Sequence, residues 1–417
     1  MLLMIKVYII FLLIFLIVQC VYAQRIKNYH YLSPSDTIRK QKKDTGKVAQ
    51  VDLIDIAKEV LHKKPDTSKA LKQVSTKPEF SAIPAVGYTL VSRFVVSLTG
   101  NVAFRTDTAN KISTITGITG YTQNKQLTFQ VESEVWLNKN NYELIGDYRF
   151  YKYPQSTFGL GSNSSIRNED PLDYNFIRFY ETLLKKITGN FLVGAGYIID
   201  YHTNISEKGN LDGVKPSDFA LYGSSSRTTS TGYTLNAEFD SRDNSINPST
   251  GFFASFQFRD NYRFLGSTSD WRSIIFDIRK YFRFPAASQN VIAFWNYDWL
   301  VINGKPPYLD LPSTQWDPYS SNGRGYIQGR FRGAQEVYFE TEYRYRITRN
   351  GLFGGVFFLN LQSFSGAPGT PLQSIQPGFG PGLRIKLNKV SRTNVSIDYG
   401  FGRQGSRGLF VNVGELF

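Results

Sequence analysis

The stretch Val337-Tyr338-Phe339-Glu340-Thr341-Glu342-Tyr343-Arg344-Tyr345-Arg346-Ile347 decides the fold class. Val337, Phe339, Tyr343, Tyr345 and Ile347 alternate with Glu340, Glu342, Arg344 and Arg346. Successive side chains of a β-strand point to opposite faces, so this segment has one greasy, aromatic face and one charged face. The same period of two sets Tyr233, Leu235, Ala237 and Phe239 against Thr234, Asn236, Glu238 and Asp240. It also sets Leu127, Phe129, Val131, Val135 and Leu137 against Thr128, Gln130, Glu132 and Glu134. Over 290–302 the apolar set is Val291, Ala293, Trp295, Tyr297 and Trp299, and the alternate set is mixed, with Asn296 and Asp298. A soluble sandwich alternates too. Two features separate the cases: the apolar faces are aromatic-rich and about ten residues long, enough to cross a bilayer at a tilt, and the polar faces carry both signs of charge, as a watered lumen does. The expectation is an all-β, transmembrane antiparallel β-barrel.

Working outward, the pattern begins near Phe80 and continues to Phe417. About fifteen segments fit a strand: 92–105, 111–121, 126–138, 142–152, 172–186, 190–200, 228–240, 250–263, 270–283, 290–302, 334–348, 351–363, 379–388, 393–402 and 408–417. Bacterial single-chain barrels carry even numbers, so about sixteen strands are expected. The missing strand is sought in 153–171 or 201–227. The segments 303–333 and 364–378 exceed a tight turn and belong outside the cell. The composition agrees, with 26 Tyr, 32 Phe and 35 Gly and a negative mean hydropathy.

Residues 1–23 read as a secretory signal peptide: Lys6, an apolar run from Val7 to Val18, and Val21-Tyr22-Ala23 ahead of Gln24. The uncharged stretch falls short of the roughly 20 residues of a spanning helix. Cys20, the single cysteine, leaves with it, so the mature chain has no thiol for a disulfide or a thiolate metal site. Residues 24–79 form a polar, Lys-rich leader with Arg39-Lys40-Gln41-Lys42-Lys43. One short helix is predicted from Val51 to His62, with Leu53, Ile56, Ala57, Val60 and Leu61 on one face. Its polar setting favours a solvated linker; the alternative is a helix that docks on or plugs the barrel. The formal net charge of +14 comes without a recognition helix or zinc spacing, which argues against nucleic acid. For an exported protein it points to outer-membrane lipids and lipopolysaccharide.

Three blocks resemble the bacterial surface antigen superfamily, the BamA/TamA-type outer-membrane assembly barrels. Asp240-Ser241-Arg242-Asp243 followed by Pro248-Ser249-Thr250-Gly251 is similar to the family's signature turn. Gly323-Arg324-Gly325-Tyr326, in the long segment 303–333, resembles the family's Arg-Gly-aromatic motif, whose loop folds back into the barrel. Glu342 and the run Phe357-Phe358-Leu359-Asn360 match the strands that hold this arginine. The resemblance implies that Arg324 sits in the lumen and pairs with the inner wall. The period-two phase independently turns Glu342 inward, and Phe358 with Asn360. Asn360 stands where the family has an Asp, which keeps an acceptor and loses a charge. Phe417, closing the strand 408–417, resembles the terminal aromatic by which such barrels are recognised for insertion, and Ile83-Pro84-Ala85-Val86-Gly87-Tyr88 resembles the start of the family's barrel.

The resemblance covers about 80–417. Family members carry polypeptide-transport-associated domains of about 75 residues each before the barrel, and the leader is too short and too polar for one. The expected function is assistance in inserting or translocating proteins or lipids at the outer membrane, with unfolded outer-membrane proteins, or a separate periplasmic partner supplying the absent domains, as partners. The alternative is a passive channel or structural barrel. Nothing points to an enzyme, a metal or a cofactor: His30, His62 and His202 lie in the leader or a loop, without a Ser/Asp setting or ligand spacing.

Overall fold

Aromatic and β-branched side chains alternating with polar ones favour extended backbone, and the chain forms strands at nearly every predicted segment. The computed structural model describes residues 49–60, 77–107, 111–209, 216–389 and 391–417. The expected signal peptide, most of the expected leader, His30 and His62 lie outside the described residues. From Gln50 to Phe417 the chain is one compact unit.

The strands are β1 (Glu79–Thr89), β2 (Arg93–Phe104), β3 (Ser113–Thr122), β4 (Leu127–Leu137), β5 (Tyr142–Lys152), β6 (Gln155–Thr157), β7 (Asp170–Thr188), β8 (Phe191–Glu207) and β9 (Arg227–Asp240). They continue with β10 (Gly251–Asn261), β11 (Trp271–Arg283), β12 (Val291–Gly304), β13 (Gln335–Arg346), β14 (Phe353–Phe364), β15 (Gln376–Asn388), β16 (Thr393–Phe401) and β17 (Arg407–Val413). Each pairs antiparallel with the next. The exception is β6. It follows β5 on the same partner, β7, and Pro154 interrupts the two, since proline cannot donate to a ladder. With β5 and β6 as one staggered strand, the 17 strands make a wall of sixteen. β17 lies beside β1, so the wall is nearly closed. Among the described residues no ladder of paired residues joins them.

The missing strand is therefore β1, and not the segments 153–171 or 201–227. Its Pro84 disguises it, because a proline demotes a sequence run to edge strand or non-strand. An edge is where β1 lies: Pro84 faces Leu98 of β2 and the other side meets the seam. Of the two suspected segments, the first holds β6 and the start of β7, and the second an extension of β8 and a short helix, α2 (Asp218–Gly223).

An even strand number puts the start of β1 and the end of β17 at one rim, here the near rim; the long loops 158–169, 208–226, 305–334 and 365–375 rise from the far rim. The outer wall is apolar, with Phe94, Leu98, Phe129, Leu183, Leu235 and Phe357 among its exposed side chains. The predicted faces hold for β4, β9, β13 and β14. For β12 they are reversed. Trp295, Tyr297 and Trp299 point inward and are buried, while Phe294 stacks on Phe339 outside. The indole N–H explains the reversal: Trp295 Nε1 donates to Asp277 Oδ1 at 3.0 Å, a partner that a hydrocarbon face lacks.

The leader helix, α1 (Leu53–Val60), meets the near rim. Val51 N donates to Asn350 O (3.1 Å), Lys389 N donates to Asp52 Oδ2 (2.8 Å), and Lys389 Nζ lies 2.5 Å from Asp55 Oδ2. It is a docked element, the second of the two sequence alternatives.

Candidate functional site

Between β12 and β13 the chain leaves the far rim and descends into the barrel. Backbone groups buried without a ladder need other partners, and this loop finds them in itself and the wall. Asp317 Oδ1 accepts from Ser321 N (2.9 Å) and Asn322 N (3.0 Å), and Gly329 N donates to Thr314 O (3.0 Å). These turns present Arg324 at 1% exposure.

The Arg324 guanidinium is the hub of the lumen. Its Nη2 pairs with Glu340 and Glu342 of β13, and its Nη1 with Asp398 of β16 at 2.7 Å. The guanidinium carbon lies 3.8 Å from the Phe358 ring centroid. Burial alone pushes the guanidinium pKa down; Glu340, Glu342 and Asp398 outweigh it and hold the pKa well above the ordinary arginine value. The cluster extends through Arg384, at 2.5 Å from Asp398 and 2.8 Å from Glu415, and Arg344, at 2.6 Å from Glu342. Arg324, Arg344 and Arg384 thus face Glu340, Glu342, Asp398 and Glu415.

Gly325 and Tyr326 fix how the arginine arrives. Gly325 has φ +101°, and a Cβ there would stand 2.7 Å from the Phe401 carbonyl oxygen. Only glycine combines that conformation with that approach. Tyr326 is buried, donates its hydroxyl to Pro377 O (2.6 Å) and accepts from Arg403 N (3.0 Å).

The structure gathers Arg324, Glu342, Phe358 and Asn360 in one place, with Asn360 in a different role. Its Nδ2 donates to the Arg324 carbonyl oxygen at 3.0 Å, so it holds the loop backbone and leaves the guanidinium alone. The charge missing at 360 is supplied by Glu340 and Asp398, neither of which the sequence reading assigned to the arginine. Glu340 carried a signal, sharing the inward phase of Glu342 two residues on; Asp398 lay in a strand whose partners were not legible.

The signature turn lies elsewhere, at the near rim. Arg242 grips Asp240 with Nε (3.0 Å) and Nη2 (2.8 Å). Asp243 accepts from Ser249 N (2.8 Å) and Thr250 N (3.0 Å) and pairs with Arg392 (2.7 Å). Burial pushes the Asp243 carboxyl up, but Arg392 and the turn's donors more than offset it and hold it at about 2. Pro248 is buried, and Gly251 starts β10 with φ +112°. Because Arg392 belongs to the β15–β16 turn, the β9–β10 turn reaches across the near mouth.

The strand expected over 408–417 is shorter, and Phe417 lies off it. The last strand ends at Val413, and after Gly414 (φ +116°) the chain turns into the lumen. Phe417 is buried against Trp295 (5.2 Å between centroids) and Tyr281 (6.3 Å), and its main-chain oxygen accepts from Arg344 Nη2 (2.7 Å). The inward-facing aromatics of β12 and the cation of Arg344 offer the ring more contact than an outer edge would, and Ser321 Oγ of the loop donates to Leu416 O (3.2 Å). The aromatic therefore lies beyond the last strand, inside the lumen.

No protein-family model matches the sequence, and no curated protein matches it. Solved structures do. BamA from Haemophilus ducreyi, in a crystal structure lacking POTRA domains 1–3, aligns with TM-score 0.52 and 12% identity over 81% of this chain and 69% of that one. CdiB from Acinetobacter baumannii aligns with TM-score 0.52 and 12% identity over 82% of this chain, which spans 61% of its length. The chain has a BamA-type barrel fold.

Proposed function

We propose that the chain is a bacterial outer-membrane protein that assists the insertion or translocation of outer-membrane proteins or lipids. The observation that carries this reading is the seam. β1 and β17 adjoin without a ladder, and unpaired strand edges are templates on which another chain can pair. Gly408 of β17 packs against Leu90 beside β1, where a Cβ would meet the Leu90 side chain at 2.2 Å. The passive-channel alternative is disfavoured by the loop and the tail, which occupy the lumen beside β12, β13 and β16, and by the β9–β10 turn across the near mouth. Lipids and lipopolysaccharide would surround the wall, and α1 at the near rim is where a periplasmic partner would meet the barrel. The reading is not that of an enzyme. Ser230, Asp310 and His202 do meet, but Ser230 Oγ donates to Asp310 (2.6 Å) and His202 Nδ1 lies 3.5 Å from the same carboxylate. His202 lies on the carboxylate side and not at the serine, whose oxygen accepts from Trp271 Nε1 (3.1 Å), so the three do not form a serine–imidazole relay.

Leu90→Cys/Gly408→Cys tests the reading, the sole native cysteine being Cys20. A disulfide across the seam is expected to abolish complementation of a depleted strain and to change its outer-membrane proteome or lipid asymmetry, reversibly with reductant. Full activity with the seam locked would overturn it.

A further inference from the structure

A second junction between loop and wall lies against a different arc of the barrel. A small cavity with room for about one water-sized particle opens there between Arg178 of β7, Asp200 and His202 of β8, Arg259 of β10 and Trp299 of β12. The loop covers it with Asp310 and Trp316. We propose that this cavity binds a chloride-sized monatomic anion, which ties the loop to the wall.

The argument rests on hydrogen-bond inventory. Arg259 is 3% exposed. Its Nε donates to Asn261 (3.1 Å), and its Nη1 donates to the Tyr180 hydroxyl (2.8 Å) and to Asp200 (2.9 Å). Its Nη2 has no partner among the described residues, and neither has Trp299 Nε1 or Trp316 Nε1. All three are nitrogens that only donate, and burying such a group unpaired costs about 1–3 kcal/mol. A single water offers two lone pairs and brings two protons of its own. Asp200 is held by Arg178 (3.0 Å) and Arg259, and Asp310 by Ser230 (2.6 Å). A water could give a proton to His202 Nδ1, which has no hydrogen-bond partner among the described residues, but would still leave one of the three donors unpaired. An anion accepts from all three donors and brings no proton.

A further buried cation lies in the covering loop. Arg332, buried in the loop, donates to the carbonyls of Tyr308 (3.1 Å), Leu309 (3.2 Å) and Leu311 (3.4 Å). Among the described residues no carboxylate lies within ion-pair distance of it. Arg178 is shared between Asp200 (3.0 Å) and Asp147 (3.5 Å), and Arg332 adds a buried cation that no described carboxylate contacts. The size of the cavity excludes phosphate and sulfate, and a halide, being larger than water, enters with a small outward shift of the lining side chains. Two of the donors belong to the wall and one to the loop, so the ion bridges them.

The test uses the full chain and does not depend on the assembly reading. Crystals grown with sodium bromide are expected to show an anomalous peak in contact with Arg259 Nη2 and Trp299 Nε1. In solution, chloride replacing gluconate at constant ionic strength is expected to raise the temperature of heat-induced unfolding by about 2 °C or more. Trp299→Phe, which keeps the ring and loses the donor, is expected to shrink that rise by at least half. A cavity without a bromide peak, or a halide effect that Trp299→Phe leaves untouched, overturns the proposal.

Discussion

Arg324→Ala removes one guanidinium from a cluster in which Glu340, Glu342 and Asp398 all face it. Two guanidiniums, Arg344 and Arg384, are then left for four carboxylates. Removing one partner of a buried ion pair costs about 3–5 kcal/mol, because the remaining charge stays desolvated. At about 1.4 kcal/mol per factor of ten, the docked loop loses roughly two to three and a half orders of magnitude in population. The wall itself is held by ladders that the substitution does not touch. The mutant is therefore expected to keep the heat-modifiable mobility of a folded barrel. In planar bilayers it is expected to show larger, fluctuating currents, and protease is expected to cut within 305–334. Arg324→Lys keeps the charge but gives up the planar fork that reaches several carboxylates at once, so its effect falls between wild type and alanine. A quiet current and a protease-resistant loop in Arg324→Ala would refute the clamp.

Three further outcomes follow from the same geometry. Asn360→Asp, a change toward the family's usual residue, is expected to release the loop to protease, because aspartate cannot donate to the Arg324 carbonyl oxygen and adds a carboxylate to an already acidic cluster. Gly325→Ala, at φ +101° against the Phe401 carbonyl, is expected to lower the unfolding temperature through a cost above about 1 kcal/mol. Asp310 gives a pH dependence: burial and the nearby Asp200 push its carboxyl up to about 7, against the pull of Arg259 and Ser230. A raised carboxyl favours the folded state fully below its unfolded value, near about 4. That stability is lost as pH rises from there through about 7, by at most about 1.4 kcal/mol per pH unit. Protease resistance of the loop is expected to fall over that window, and Asp310→Asn to flatten the fall.

The barrel was legible because alternation is a local property, visible wherever one face is hydrocarbon-like and the other charged. β4, β9 and β13 show it without ambiguity. It misled at β12 because both alternate sets there carry large apolar residues: Ile292, Phe294 and Leu300, with Asn296 and Asp298 among them, alternate with Trp295, Tyr297 and Trp299. Only the position of Asp277 on the neighbouring strand decides which set goes inward. β1 escaped because Pro84 forfeits a ladder bond, which is tolerable only at an edge, and an edge is a tertiary fact. In the site, Arg324, Glu342, Phe358 and Asn360 were found through motif and phase. Asp398 was not, since its approach to Arg324 needs β16 brought round beside β15. The inward turn of Phe417 depends on Arg344 and Trp295, which sit far away in sequence.

Amide hydrogen exchange on the mature chain in lipid nanodiscs tests the seam most directly. Amides of β1 and β17 that face each other should exchange orders of magnitude faster than those shared by β7 and β8. If both edges are protected as strongly as interior strands, the wall is fully closed and the proposed function loses its footing.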